Sequence, residues 1–325
     1  MKLKFDGFIL ALLFFIVLAY FFPQLHRWEN GEVLAWITSI GVSLIFFFYG
    51  LKLSFKQIKE GLSNWRLHVF VQLATFLLFP LLVLPFYPLI SSEIQHDFWL
   101  SFFFLAALPS TVSSSVVMVS IARGNVPAAI FNASISGLIG VVITPLWMQL
   151  FVDFGQIEVL GDVYWGLVKE ILIPVILGLL IQPLLGKWAA RYGKPLSLFD
   201  RSIILLIVYG SFAESFDSGV FETVGVKYMV MVLVVVIILF VVIYALIYLL
   251  SKSVFKFNRA DTITALFCGS KKSLTHGSVF GKFLFVNSSS AGLYFLPLML
   301  FHAFQILVVT IIAQRYNKSF EEAEK

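Results

Sequence analysis

Long apolar runs separated by short polar clusters fill this chain almost from end to end. Runs near 8–22, 32–51, 67–90, 97–121, 126–151, 163–187, 199–219, 228–250, 261–284 and 290–314 approach or exceed the roughly 20 apolar residues with which a helix crosses a bilayer. The stretch MVMVLVVVIILFVVIYALIYLL (229–250) is apolar on every helical face. A membrane barrel would instead alternate apolar and polar residues over segments of about 10. The pattern therefore predicts an all-α, polytopic membrane protein with ten transmembrane helices.

Ten spans divide into five plus five around the acidic segment DFGQIEVLGD (153–162). Residues 1–156 form the predicted first five-helix repeat, 157–315 the second, and 316–325 a cytoplasmic tail whose end, SFEEAEK (319–325), is read as frayed and solvated. An odd-numbered unit followed by its copy is inverted in the membrane, as in many secondary transporters, where matching interrupted spans mark the binding site. Such interruptions occur at LPSTVSSSVVMVS (108–120) in the fourth span and FCGSKKSLTHGS (267–278) in the ninth. Pro109 removes a backbone donor and restricts Leu108, while Gly269 and Gly277 loosen the ninth span. Backbone groups freed at membrane depth must be satisfied by protein, water or ions. Half-helix N-termini suit an anion, and exposed carbonyls suit a cation.

The charges support this topology. With the N-terminus inside, Lys2, Lys4, Lys52, Lys56, Lys59, Arg66 and Arg123 fall on the cytoplasmic side, as do the clusters at 187–201, 252–259 and 315–325. Only Arg27 and Lys227 lie in outside loops, which leaves Lys169, Lys271, Lys272 and Lys282 within spans. Trp28, Trp36, Trp65, Trp99, Trp147, Trp165 and Trp188 sit near span ends, as in an aromatic belt. With 60% hydrophobic and 13% charged residues and a mean hydropathy of +0.95, the chain is far from soluble composition. The net charge of +5 follows from topology and does not point to nucleic acid. The single cysteine, Cys268, excludes an intrachain disulfide. The first run ends LAYFFPQ without a small-residue cleavage site, so it is read as a retained span. No nucleophile elbow, zinc motif or phosphate loop is present, which argues against an enzyme.

Two adjacent lysines, Lys271 and Lys272, stand out, because a lysine at the bilayer centre costs roughly 2.5–3.5 kcal/mol. About ten residues separate them from either end of their span, or about 15 Å, beyond the reach of a lysine stem. Neighbouring residues point about 100° apart, so the two do not both face one pocket. Glu214, in IVYGSFAESF, is a candidate counter-charge or a vestibule residue, and Glu170 reads as interfacial. His68, His276 and His302 match no metal spacing and read as packing or hydrogen-bonding residues, with His276 also a proton-relay candidate. The serine-rich stretch 110–115 suits either close helix packing or ligation.

The interrupted helices, with ILIPVILGLLIQP, ISGLIGVVITPL, WRLHVFVQ, FCGSKKSLTHG and LPLMLFHAFQ, resemble the bile acid/sodium symporter family, solute carrier family ten. The resemblance spans nearly the whole chain and is greatest to the divergent branch around member seven and related bacterial symporters. It implies that helices four and nine break and cross at mid-membrane, with two sodium ions beside the crossing. Helices three, four, five, eight, nine and ten would form a core domain and one, two, six and seven a panel, with substrate between them. Carried over by position, the helix-four motif falls at Pro109, with Ser114 and Ser115 as its sodium-ligand pair. The helix-five pair falls on Asn132 and Ser136, and the helix-three ligand on Thr75, with Gln72 one turn away. In helix nine the family's Glu-Val-Gly-x-Gln-Asn motif falls on Phe267 to Lys272. The carboxylate shared by both sodium sites is thus Phe267, and two lysines replace the Gln-Asn pair. A hard cation wants oxygen ligands, and an ammonium in the same site repels it.

The expected function is cation-coupled transport, as a symporter, of a small organic anion by alternating access. The expected setting is the plasma membrane, with both termini cytoplasmic, no cofactor beyond sodium, and no nucleic-acid partner. Lys271 would replace a bound sodium, while Lys272, with Glu214, Ser270 and Pro109, would meet the substrate. Two alternatives stay open: a proton-coupled or otherwise sodium-free transporter using Lys271, and a non-transporting membrane regulator of the same fold.

Overall fold

The computed structural model describes residues 7–25, 31–52, 64–111, 113–152, 157–217, 219, 226–286, 288 and 290–323. Lys2, Lys4, Arg27, Trp28, Lys56, Lys59, Lys325 and the segment 153–156 lie outside the described residues, as does the side chain of Lys227. Helices make up the described chain, and no strand occurs among those residues. They are α1 (Gly7–Phe21), α2 (Glu32–Lys52), α3 (Trp65–Leu89), α4 (Glu93–Ala107), α5 (Ser113–Ile121) and α6 (Val126–Met148). Next comes α7, running from Ile157–Leu167 through a π turn, Val168–Leu172, into Ile173–Arg191. The rest are α8 (Gly193–Asp217), α9 (Val226–Ser253), α10 (Arg259–Gly269), α11 (Leu274–Leu284) and α12 (Ala291–Ala323).

Seven of these helices are long and apolar enough to cross a membrane, and α1 contributes a shorter apolar stretch, Leu10–Phe21. Segments 93–121 and 259–284 fall outside the seven because each is interrupted, leaving halves of 15 and 9 residues and of 11 and 11. The apolar window of α9 has a mean hydropathy of 3.6, yet only 33% of it is buried. Its remaining faces are stable only against lipid. The molecule is a multi-pass membrane protein.

Two sequence expectations change. Residues 157–162, read as part of the segment that joins the two halves, open α7 instead. The tail end from 319, read as frayed, continues α12 as far as Ala323. It is held by Phe320, whose ring lies 4.5 Å from the Arg123 guanidinium and 4.8 Å from that of Arg259. Arg259 also donates to the Tyr316 carbonyl at 2.9 Å.

The chain divides into two compact units. One comprises Met1–Ser54, Val152–Met229 and Ser278–Leu296, and the other Phe55–Phe151, Val230–Gly277 and Pro297–Lys325. In the first, α2 crosses α7 at two glycines. A Cβ on Gly178 would lie 2.2 Å from the Phe47 carbonyl oxygen, and one on Gly50 2.2 Å from that of Val175. The two backbones are in contact, the close approach that small residues permit between membrane helices.

In the second unit, one carboxylate ties three helices together. Asn64, Asn125 and Asn258 are the N-caps of α3, α6 and α10. Their side-chain amides donate to Asp261 at 2.9, 2.8 and 3.1 Å, and Asp261 is 8% exposed. A carboxylate near helix N-termini is favoured by their partial positive charge. Removing it strands three amides, so Asp261→Ala is expected to lower stability by about 2–4 kcal/mol. Thermal unfolding of the purified protein in detergent checks this, with Asp261→Asn similarly impaired because amide donors would face amide donors.

Candidate functional site

The centre of the second unit is where the two interruptions meet, and both follow from local chemistry. Helix α4 stops at Ala107 because Pro109 has no amide hydrogen, and Leu108 turns extended at ψ 153°. Helix α10 stops at Gly269, and α11 restarts at Leu274, capped by the Ser273 hydroxyl on the His276 amide at 3.2 Å. A third irregularity faces them. Within α3 a π turn spans Ala74–Leu78, so the Phe79 amide bonds back to Ala74. The next residue is Pro80, which leaves the Thr75 carbonyl without a helical donor.

Freed carbonyls inside a membrane protein need new donors. The Lys272 ammonium supplies three, to the carbonyls of Thr75 (2.7 Å), Ala106 (2.6 Å) and Leu108 (2.7 Å). It also lies 4.1 Å from the centroid of the Phe79 ring. Between these carbonyls, Ala107 accepts from the Thr144 hydroxyl at 2.8 Å, and Pro109 accepts from the Ser273 amide at 2.9 Å. The Ser110 amide, past the break, donates to Ser136 at 3.0 Å. The carbonyls from Ala106 to Pro109 are thus met by protein, and the ammonium sits at the C-terminus of α4, which carries partial negative charge.

The other break is closed in the same manner. The Ser270 hydroxyl donates back to Leu266 at 2.6 Å, Ser115 donates to Phe267 at 3.0 Å, and Ser110 donates to Cys268. Gln305 of α12 clamps the backbone of Lys272, accepting from its amide at 2.9 Å and donating to its carbonyl at 2.8 Å. Its side chain does what the next helical turn would do for an unwound residue. Gln305 was not among the sequence candidates, although a glutamine within the apolar run of LPLMLFHAFQ was a readable signal.

Lys271 has a different environment. Like Lys272 it is fully buried, but its ammonium donates to one described side chain, Ser114, at 2.8 Å. Ser114 passes a hydrogen bond to Thr111 at 3.0 Å, and Thr111 meets Ser115 at 2.7 Å. This hydroxyl chain ends on the Phe267 carbonyl. The two lysines point apart, as their adjacency requires, and Lys271 lies against Ser114, one of the expected cation ligands. Lys272 fills a carbonyl cage and has no donor left for a substrate anion, whereas Lys271 faces hydroxyls.

The model of the SBF-like CPA transporter family matches residues 6–318. The chain belongs to that family. It is 35% identical over 323 residues to an Escherichia coli protein named "Putative symporter YfeH", covering 98% of this chain and 95% of that one. It is 38% identical to a Pseudomonas aeruginosa protein of unassigned function, PA2026, over 98% of this chain and 95% of the other. It is 29% identical to "Sodium/bile acid cotransporter 7-B" of Xenopus laevis, over 96% and 91% of the two chains. The family and these relatives make the protein a membrane transporter and not an enzyme.

The remaining candidates of this transporter are spread over both units. The side-chain amide of Asn132 donates to Ala128 in its own helix at 3.0 Å, and Gln72 donates to Asn132 at 3.2 Å. The Thr75 hydroxyl bonds Val71 at 2.9 Å, so Thr75 serves the crossing through its carbonyl. His276 packs on Gly137, where a Cβ would lie 2.4 Å from its Nε2, and its Nδ1 meets Ser273 at 2.9 Å. Glu214 belongs to the first unit, where it lines a cavity with Lys282. Glu170, expected at the interface, is 15% exposed; it accepts from the Ser39 hydroxyl and pairs with Lys282 at 3.1 Å.

Proposed function

We propose that this transporter carries a small organic anion by alternating access, driven by a proton at Lys271 rather than by sodium. The proposal includes ten spans in two inverted repeats, 1–156 and 157–315, in the plasma membrane with both termini cytoplasmic, for which the distribution of Lys and Arg is the support. Relatives named as symporters and as sodium/bile acid cotransporters support symport of an anion.

The observation that carries the coupling ion is that three of the hydroxyls expected to hold sodium, those of Ser114, Ser115 and Ser136, are already engaged. Ser114 accepts from Lys271, Ser115 donates to Phe267, and Ser136 accepts from the Ser110 amide. Lys272 holds three carbonyls of the kind a bare cation would seek. A further cation about 4 Å from an ammonium would be opposed by about 4 kcal/mol at an effective dielectric of 20. Lys272 thus occupies this carbonyl cage as a tethered ammonium. Lys271, held by one described hydroxyl, is the group from which a proton can leave and to which it can return.

Proteoliposomes with labelled cholate, and then smaller organic acids, test the proposal. Uptake is expected with an imposed pH gradient in sodium-free buffer. Uptake that requires sodium at every pH would refute proton coupling. No uptake of any tested acid with either gradient would favour the non-transporting alternative.

A further inference from the structure

In the first unit, α2, α7 and α8 come together at one end. Leu51 of α2, Ala189 of α7 and Leu196 of α8 form a buried cluster, flanked by Phe47, Phe48 and Ile181. Trp188 packs beside it, its ring 6.3 Å from that of Phe48 and 5.4 Å from that of Tyr192. Exposed cations surround the cluster: Lys52 closes α2, Lys187 and Arg191 close α7, and Lys194 opens α8. Arg201 follows on α8, its guanidinium 5.2 Å from the Phe8 ring. Between Glu170 and Glu214 the one acidic residue is Asp200. Asp200 interacts electrostatically with Lys52, and its Oδ1 is buried. Among the described residues, Lys187, Arg191 and Lys194 form no ion pair.

The length of α7 sets the depth of this cluster. Lys169, whose ammonium lies 5.7 Å from the Trp165 ring, is separated from Lys187 by about 27 Å of helix, close to the roughly 30 Å of bilayer hydrocarbon. A Lys–Trp pair thus marks each membrane face along α7. On the hydrocarbon side of the cations, Ile173, Leu180 and Leu184 share a face of α7 with Lys187 and Arg191, within roughly 60°. Leu180 is 66% exposed and Leu184 82%. An exposed apolar stripe therefore runs directly into the cations. The partial negative charge of helix C-termini accounts for Lys52, Lys187 and Arg191. It does not account for Lys194, which stands at a helix N-terminus, where a cation is disfavoured. A bias of Lys and Arg to one side of the membrane scatters them over the loops of that side. Here they ring one cluster at the head of an apolar stripe.

We infer that this end of α7 and α8 binds an anionic phospholipid, with its phosphate on Lys187, Arg191 and Lys194 and an acyl chain along Leu184, Leu180 and Ile173. The arginine fork bonds two phosphate oxygens at once, and the lysines add point charges. Trp188 and Tyr192, both partly exposed, sit at headgroup level, where rings with one polar end are favoured. A free phosphate would use the cations and leave the apolar stripe idle, so the surface fits a lipid. A zwitterionic headgroup brings its own ammonium, which the same cations repel. Because the cations lie on helices packed around Leu51, occupancy ties these helix ends together. The inference is independent of the transported ligand and of the coupling ion.

The test titrates the full chain in a neutral detergent with dioleoyl phosphatidylglycerol, read by thermal unfolding, with dioleoyl phosphatidylcholine and glycerol 1-phosphate as controls. Phosphatidylglycerol is expected to raise the unfolding temperature, by less as salt is added, and both controls to leave it unchanged. A basic residue near an anionic lipid contributes about fivefold in affinity. Lys194→Gln alone is therefore expected to weaken binding about fivefold, and Lys187→Gln, Arg191→Gln and Lys194→Gln together about a hundredfold. The combination Lys252→Gln, Arg315→Gln and Lys318→Gln removes as much exposed charge from the second unit and is expected to keep the shift. All six side chains are exposed, so both triple variants are expected to unfold at the parent temperature without lipid. Equal shifts from the two phospholipids, or a shift from glycerol 1-phosphate as large as that from phosphatidylglycerol, would overturn the inference. So would an undiminished shift in the α7–α8 triple variant, or an equal loss in the control triple variant.

Discussion

Lys272→Met is expected to destabilise the transporter severely, while the same change one residue earlier leaves stability nearly intact. Removing the Lys272 ammonium strands the carbonyls of Thr75, Ala106 and Leu108 in a region that is fully buried. Each unsatisfied buried group costs about 1–3 kcal/mol. Relief from burying a charge offsets part of this, and removal of one partner from a buried charged set costs about 3–5 kcal/mol. Methionine preserves the length and apolar bulk of the stem, so the loss reports the donors and not a cavity. Thermal unfolding in detergent, with yield of monodisperse protein, reads the effect. Chemical rescue separates the cage from general damage: Lys272→Ala should be restabilised by a primary alkylammonium and not by an alcohol of the same length. Equal stability of the Lys271→Met and Lys272→Met proteins would contradict the distinction between the two lysines.

The oddity of these lysines was legible because insertion energetics alone mark them, and Pro109 and Gly269 marked where the backbone opens. Which lysine goes where was not legible. That depends on the directions in which the carbonyls of Thr75, Ala106 and Leu108 point, and Thr75 is freed only by a π turn whose sequence trace is a single proline, Pro80. Reading by position pointed to the side chain of Thr75 and gave no sign that its backbone oxygen accepts from Lys272. The three asparagine N-caps were each readable as helix starts, but their convergence on Asp261 joins positions 64, 125 and 258 and leaves no local pattern. Glu170 was placed by its nearness to a span end, yet its partner is 112 residues away. Periodicity and breakers thus located elements and interruptions, while the pairing of charges across them required the fold.

Lys271→Met is expected to abolish the response of uptake to an imposed pH gradient while the protein remains folded. The ammonium contributes one described hydrogen bond, to Ser114, so its removal gives up about 1.5–3 kcal/mol of charged hydrogen bonding. It also removes the desolvation cost of a fully buried charge, and exchanging such a charge for an apolar side chain of similar volume is often neutral or stabilising. The kinetic effect has no such compensation. If the proton that sets the balance between the two access states resides on Lys271, methionine holds that position permanently uncharged. Exchange of labelled anion at equal concentrations on both sides should then persist, because it needs only the passage of loaded carrier, while gradient-driven accumulation should fall to the level of empty vesicles. Ser114→Ala leaves the lysine in place without its hydroxyl partner and should shift the pH at which uptake is half-maximal without abolishing the gradient response. Accumulation by the Lys271→Met protein with an unchanged pH profile would assign the coupling proton elsewhere. Lys282 and Glu170, half-buried and paired with each other, would then be the next groups to test.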